Sequence, residues 1–119
     1  MIRALTACVL GLAIAAPAVA QQTRNAPQGI IRVLDKTTGT VQDLELEIFE
    51  TRTVGRLSVA MQECRYPRSN PSGDAYILLT VTAQGSETPV FEGWMIASAP
   101  ALNAMEHPRY DVWALRCKT

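Results

Sequence analysis

Short apolar runs alternate with turn clusters along most of the chain. From Leu44 to Ile48 the apolar residues alternate with Glu45 and Glu47, a period of two that is typical of a half-buried β-strand. Clusters of glycine, proline, asparagine and aspartate separate such runs, as expected for turns. The pattern predicts strands over residues 29–34, 41–49, 56–66, 75–83, 90–96 and 110–117.

Two of these runs carry more specific expectations. In the run 56–66, Leu57, Val59 and Met61 share one face, and the same period places Cys64 on the opposite face unless a bulge intervenes. The run 75–83 is almost entirely apolar or threonine, which predicts a central strand buried on both faces.

A short helix is predicted between Ser98 and Glu106. Ser98 is a suitable N-cap, Pro100 is tolerated in a first turn, and Leu102 and Met105 lie three residues apart on one helical face. Six to seven short strands and one short helix near the C-terminus predict an all-β fold, a small antiparallel β-sandwich or barrel. We expect residues 30–119 to form a single β domain.

The N-terminal residues 1–20 have the layout of a secretory signal peptide. Arg3 precedes an apolar run over residues 9–16, and Ala18 and Ala20 form the small-residue motif that predicts cleavage after Ala20. Export would place the mature chain outside the cytoplasm, and we expect a periplasmic location. The polar segment 21–29 predicts a disordered leader, and no later run is long and apolar enough for a transmembrane segment in the mature chain.

Two alternatives would anchor the chain to a membrane instead. One is an uncleaved signal peptide, and the other is lipidation of Cys8, because residues 5–8 resemble a lipobox. The apolar run follows Cys8 rather than preceding it, and this order disfavours lipidation.

Cysteine number and charge narrow the class of protein. Cleavage leaves Cys64 and Cys117, and an even count in a small exported domain indicates a disulfide. One alternative is a redox pair, which is disfavoured because the pattern Cys-x-x-Cys is absent. Another is a metal site, which would need both cysteines, His107 and a fourth ligand. The chain has eleven basic and eleven acidic residues, and so lacks the excess of positive charge that is typical of a nucleic-acid-binding protein. We expect no metal and no cofactor.

Rare residues are crowded into residues 93–117, which hold both tryptophans and the single histidine. Trp94 and Trp113 flank the predicted helix, so the favoured interpretation is that both belong to the core beneath it. The alternative is an aromatic pocket for a small ligand around Trp94, Tyr110 and Trp113.

Catalytic chemistry has little support in the sequence. Ser98, His107 and Asp111 contain the groups of a hydrolase site, but no spacing brings them together, and this reading ranks third. No glycine-rich phosphate loop is present. We therefore expect a protein that is not an enzyme.

Several motifs resemble the family named domain of unknown function 2155. They are Leu34–Gly39, Gly55–Leu57, Glu63–Cys64, Gly93–Met95, Ala97–Leu102, Glu106–Pro108 and Tyr110–Trp113 with Cys117. The resemblance covers nearly all of the mature chain and departs from the family pattern at Ala99 and Asn103. It implies a Gram-negative envelope location and a cysteine pair, and it supplies no catalytic residues.

Together these observations predict a non-catalytic exported module of the cell envelope that acts through protein–protein contacts. The expected interaction surface is the loop between the runs 90–96 and 110–117, with Ser98, Leu102, Glu106, His107 and Tyr110. The partner is an envelope protein whose identity the sequence does not indicate. A small-ligand-binding β domain is the alternative.

Overall fold

The computed structural model describes residue 11 and residues 22–119. Within that part of the chain, the regular elements are eight strands and one 3₁₀ helix. The strands are β1 (Thr23–Asn25), β2 (Gln28–Asp35), β3 (Val41–Glu47), β4 (Thr51–Val54), β5 (Leu57–Pro67), β6 (Tyr76–Ala83), β7 (Phe91–Ile96) and β8 (Tyr110–Lys118), and the 3₁₀ helix is Pro100–Asn103. None of the described helical segments is long and apolar enough to span a membrane.

The strands form two antiparallel sheets. The five-stranded sheet has the order β1-β5-β6-β7. Strand β4 pairs with the same edge of β5 as β1 does, β4 with residues 57–60 and β1 with residues 65–67. The three-stranded sheet has the order β3-β2-β8. Their buried faces share one core, and the described strands do not close into a barrel. The predicted all-β class is confirmed, in its sandwich form.

One side of the sandwich is joined by chain segments that pass from sheet to sheet. The link from β1 to β2 is held by the Ala26 N–H, which donates to the Cys64 carbonyl at 2.7 Å. The link from β3 to β4 is held by the Phe49 N–H, which donates to the Met61 carbonyl at 2.8 Å. The opposite side, between β7 and β8, is bridged by the 3₁₀ helix and its flanking residues.

The inner faces of both sheets supply the core. Leu57, Val59, Met61, Ile77 and Leu79 are each fully buried on the five-stranded sheet. The facing residues of the three-stranded sheet are Ile31, Val33, Leu44, Leu46, Val112 and Ala114. These positions repeat with the period of two that predicted the strands.

A disulfide joins the two sheets at one end of the core. The register of β5 against β6 shifts between Met61 and Glu63, and this bulge returns Cys64 to the inner face. There its sulfur bonds to that of Cys117 on β8, at 2.06 Å. Gly29 makes room for the pair, since a Cβ at that position would lie 2.9 Å from the Cys64 sulfur and 2.8 Å from that of Met61.

Four details differ from expectation. Strand β6 is buried on its inner face only, because none of the described elements covers its outer face, and Tyr76 and Leu78 are therefore half-buried. Residues 23–25 form β1 and β2 begins at Gln28, so the leader predicted as disordered is largely strand. Strand β4 has no counterpart among the predicted strands.

The fourth difference is the helix, which is shorter than expected. It is a single 3₁₀ turn, and its N-cap residue is Ala99 rather than Ser98. The predicted signal peptide and its cleavage site at Ala20 lie outside the described residues, as does Cys8.

Candidate functional site

An apolar groove opens between the β7 and β8 edges, beside the 3₁₀ helix. We call it the seam groove. Its volume is about 380 Å³, near the lower end of the ~300–1,000 Å³ range of ligand pockets. Its lining residues come from three segments: Met95 and Ile96 of β7, Pro100, Ala101, Asn103, Ala104 and Met105 of the connection, and Asp111, Val112, Trp113 and Ala114 of β8.

The groove exists because both strands stop pairing on this side. Among the described strands, β7 pairs only with β6 and β8 pairs only with β2. The 3₁₀ helix partly covers the β7 edge, since the Asn103 side-chain amide donates to the Trp94 carbonyl at 2.8 Å. Met95 and Met105 form an apolar floor at 3% and 5% exposure. The β8 edge is left as the open wall.

Of the described residues that line the groove, one is acidic, Asp111. Two other carboxylates of the three-stranded sheet are paired: Asp43 receives two hydrogen bonds from Arg32, at 2.7 and 3.0 Å, and Glu45 receives one from Lys118 at 2.7 Å. The bonds from Arg32 hold the pKa of Asp43 below its usual value. Within the described chain Asp111 makes no ion pair, so its charge remains available to a ligand.

The predicted interaction surface is only partly a surface. Leu102 is 75% exposed and Glu106 is exposed, as expected for a contact loop. Tyr110 is 2% exposed, so its place on that surface is wrong. Its hydroxyl accepts a hydrogen bond from the Arg56 N–H at 3.1 Å, which anchors the side chain inside the sandwich.

Ser98 and His107 are engaged in local structure. The Ser98 hydroxyl donates to Asp74 at 2.6 Å, and its N–H donates to the same carboxylate at 3.0 Å. Burial would raise the pKa of Asp74, but these bonds and one from the Ala75 N–H hold it below its usual value. Asp74 therefore ties the loop before β6 to the loop after β7, a role that the sequence analysis missed.

His107 accepts two backbone hydrogen bonds through one ring nitrogen. The N–H groups of Arg109 and Tyr110 donate to its Nδ1 at 3.1 and 3.2 Å. This arrangement shapes the turn into β8. The described residues contain no group of three or more histidine, cysteine, aspartate or glutamate side chains that could hold a metal.

The tryptophans do not lie where the sequence analysis placed them. Both are half-buried and belong to the outer faces of the sheets: Trp94 pairs with Leu78 on the five-stranded sheet, and Trp113 pairs with Arg32 on the three-stranded sheet. The interpretation that both belong to the core is wrong, because each tryptophan occupies a position of its strand that points away from the core. The pocket around Trp94, Tyr110 and Trp113 is also wrong, since Tyr110 lies between the sheets and the tryptophans lie on opposite sides of them.

Each tryptophan has a different setting. Trp94 borders a shallow depression of about 470 Å³ with Thr23, Tyr76 and Ile96, and the Arg65 guanidinium lies 5.7 Å from the centre of its ring. Trp113 lines the seam groove next to Asp111. Of the two, Trp113 is therefore the candidate for a binding role.

Comparison with known proteins gives a family for the chain. Residues 29–117 match the model of a family described as uncharacterized protein conserved in bacteria, DUF2155. The chain belongs to this family. The matched segment runs from the first part of β2 to the disulfide cysteine of β8, so it contains the seam groove completely.

A curated relative is also uncharacterized. It is a protein of Rickettsia prowazekii (strain Madrid E), 30% identical over 97 residues, which are 79% of this chain and 63% of the relative. The chain thus spans less than two thirds of that relative's length. No solved structure matches the chain. The predicted family is confirmed. Neither the family's description nor the relative's name states an activity.

Proposed function

We propose that this DUF2155 protein is an exported, non-catalytic component of the bacterial cell envelope that binds another protein through the seam groove. The observation that carries the proposal is an apolar groove placed against an open strand edge. Strand edges and apolar grooves are features by which proteins take up segments of other chains. An unpaired edge is otherwise a liability that folded proteins blunt or cover.

Export is supported by two independent features. The N-terminal residues have the pattern of a signal peptide, and the Cys64–Cys117 disulfide suits an oxidising compartment. Mass spectrometry of the protein from its own periplasm should give a chain that begins at Gln21. An intact Met1, or an acyl group on Cys8, would contradict this part of the proposal.

The polar groups near the groove support binding more than chemistry. Ser98 is bonded to Asp74, and His107 accepts from the backbone, so neither is arranged as a nucleophile or a base. Asp111 is the one acidic group among the described residues that line the groove. We therefore assign the groove to recognition.

Site-directed photocrosslinking in the native bacterium tests the proposal. A photoreactive phenylalanine replaces Ala104, an exposed residue of the groove rim, and the matched control replaces Val41, which is 54% exposed on the far edge of the three-stranded sheet. We expect a discrete crosslinked protein from position 104 and none from position 41.

Two tryptophan variants decide whether the groove is responsible for the crosslink. Trp113→Ala removes a lining side chain and should strongly reduce the crosslink, whereas Trp94→Ala alters the other sheet's outer face and should leave it unchanged. Equal crosslinking from positions 104 and 41, or equal effects of the two variants in folded protein, would refute a binding role for the groove.

A further inference from the structure

The open wall of the seam groove has the chemistry to recognise one kind of segment. We propose that β8 accepts an added β-strand from the partner, with apolar side chains on the face toward the groove and basic side chains on the outward face. This inference rests on the proposed function and adds the class of partner segment.

The backbone edge that faces the groove belongs to β8. Strand β8 spans Tyr110–Lys118, and within the described chain it pairs only with β2. The facing edge of β7 is partly used, since Asn103 donates to the Trp94 carbonyl. A strand's N–H and C=O groups alternate between its two edges, so half of those on β8 point toward the open side. An extended segment laid along β8 would continue the ladder of the three-stranded sheet.

The inward residues of β8 select apolar partners. Val112 and Ala114 line the groove and are 5% and 2% exposed, and they face the apolar floor of Met95 and Met105. Side chains two residues apart on an added strand would lie about 6.5–7 Å from one another. Two of them could therefore enter the groove side by side, and the small side chain of Ala114 leaves space for one.

The outward residues of β8 select basic partners. Asp111 and Trp113 alternate with the inward pair and stand at the outer rim of the groove. Asp111 has no ion pair within the described residues, and an indole face attracts Lys or Arg. Arg32, which pairs with Trp113 across the ladder, is already neutralised by Asp43.

The charge of Arg116 limits where those basic side chains fit. Arg116 is exposed further along β8, opposite Ile30. A cation beside it would be repelled, so the basic positions of the added strand belong next to Asp111 and Trp113. Charge therefore sets the register of the segment as well as its composition.

Binding of a defined peptide tests the inference. The probe is a fluorescein-labelled heptapeptide of alternating valine and lysine, measured by fluorescence polarisation with the disulfide-intact protein. The matched peptide carries glutamate in place of each lysine. We expect the glutamate peptide to bind at least about tenfold more weakly, because it sets like charges against Asp111.

Protein variants locate the binding. Asp111→Asn should lower the affinity for the lysine peptide about two- to fivefold, because it removes one partly exposed ion pair. Glu47→Gln removes an exposed carboxylate from β3, at the opposite edge of the same sheet, and should leave the affinity for the lysine peptide unchanged. Ala101→Trp fills the groove from a different exposed position and should abolish binding, whereas Val41→Trp should not.

Backbone methylation separates strand addition from other modes of binding. Methylating the N–H groups of the valines only, or of the lysines only, blocks hydrogen bonds on opposite edges of the added strand. We expect one series to lose binding and the other to keep it.

Three results would overturn the inference: equal affinity for the lysine and glutamate peptides, equal loss in both methylated series, or no binding of the lysine peptide at about 1 mM. The crosslink from position 104 is independent of them. If the crosslink persists while the peptide assay fails, the proposed function stands and the partner segment has another chemistry. If neither is observed, both proposals fail.

Discussion

Replacement of Gly55 by alanine tests how the sandwich is closed at the β4–β5 turn. Gly55 has φ +56°, and a Cβ there would lie 2.5 Å from the Tyr110 hydroxyl oxygen and 3.4 Å from the ring carbon that carries it. Tyr110 is fixed in the core, and its hydroxyl accepts the Arg56 N–H at 3.1 Å. The methyl group and the hydroxyl therefore cannot both keep their places.

The expected cost has two parts. The left-handed conformation costs a non-glycine residue about 1–2 kcal/mol, of which about 0.4–1 kcal/mol is offset by the stiffer unfolded chain. Displacing Tyr110 adds a lost hydrogen bond and overpacking, together about 2 kcal/mol. Gly55→Ala should thus lower the free energy of unfolding by about 3 kcal/mol. Gly39→Ala is the matched control, because Gly39 has φ +74° and no atom within 4 Å of its Cβ position, and should cost about 1 kcal/mol.

Urea unfolding of the disulfide-intact protein, followed by circular dichroism, measures these values. Tyr110→Phe completes a double-mutant cycle, since removing the hydroxyl leaves the new methyl group only with ring-carbon contacts of 3.4 and 3.6 Å among its nearest neighbours. In that background Gly55→Ala should cost about 1 kcal/mol, which gives a coupling of about 2 kcal/mol. Equal costs for Gly55→Ala and Gly39→Ala, or additive effects in the cycle, would refute the steric argument.

Three further predictions concern the disulfide, the tryptophans and pH. Without reductant the mature protein should show no alkylatable cysteine, and Cys64→Ser should cost about 2–5 kcal/mol in urea unfolding; two free thiols in periplasmic protein would contradict this. Trp94→Ala and Trp113→Ala should each cost about 1–2 kcal/mol rather than the ~3–5 kcal/mol of a fully buried aromatic, because both are half-buried, and a loss in the larger range would restore the core interpretation. Hydrogen bonds from Arg109 lower the pKa of Asp35 in the folded protein below its ordinary 3.8, so its contribution to stability is complete above about pH 4 and is lost as pH falls through the lower folded value. The stability gap between wild type and Asp35→Asn should therefore narrow in acid, and a gap independent of pH would exclude this ion pair as its source.

Local patterns in the sequence determined the strands well. Alternation between Leu44 and Ile48 and the apolar run 75–83 both correspond to strands, because side chains on a strand alternate between faces whatever the sheet order. The cysteine pair was also predictable from the number of cysteines and the predicted export, and Cys64 and Cys117 are bonded. The family motifs predicted a relationship that the match over residues 29–117 confirms.

The tertiary structure decided which face of each strand turns inward. Trp94 and Trp113 were assigned to the core by size, but each alternates with a smaller inward residue, Met95 and Ala114, and is therefore on the outer face. The reverse holds for Tyr110, predicted at the surface and buried by its fit against Gly55. The type of a residue alone does not show which face of its strand it occupies, because a shift of one residue along the strand exchanges the two faces.

The candidate site was the least predictable part. Residues Met95, Met105 and Ala114 have no motif in common, and they meet only because β7 and β8 end their two sheets on the same side of the sandwich. Sheet order depends on long-range pairing, which a local pattern does not encode. By itself, then, the sequence determined that this chain makes short strands and a cysteine pair, since those follow from neighbours along the chain. The open seam was decided by strands distant in sequence, which pack so that, within residues 22–119, one edge is unpaired and Asp111 at its rim has no ion pair.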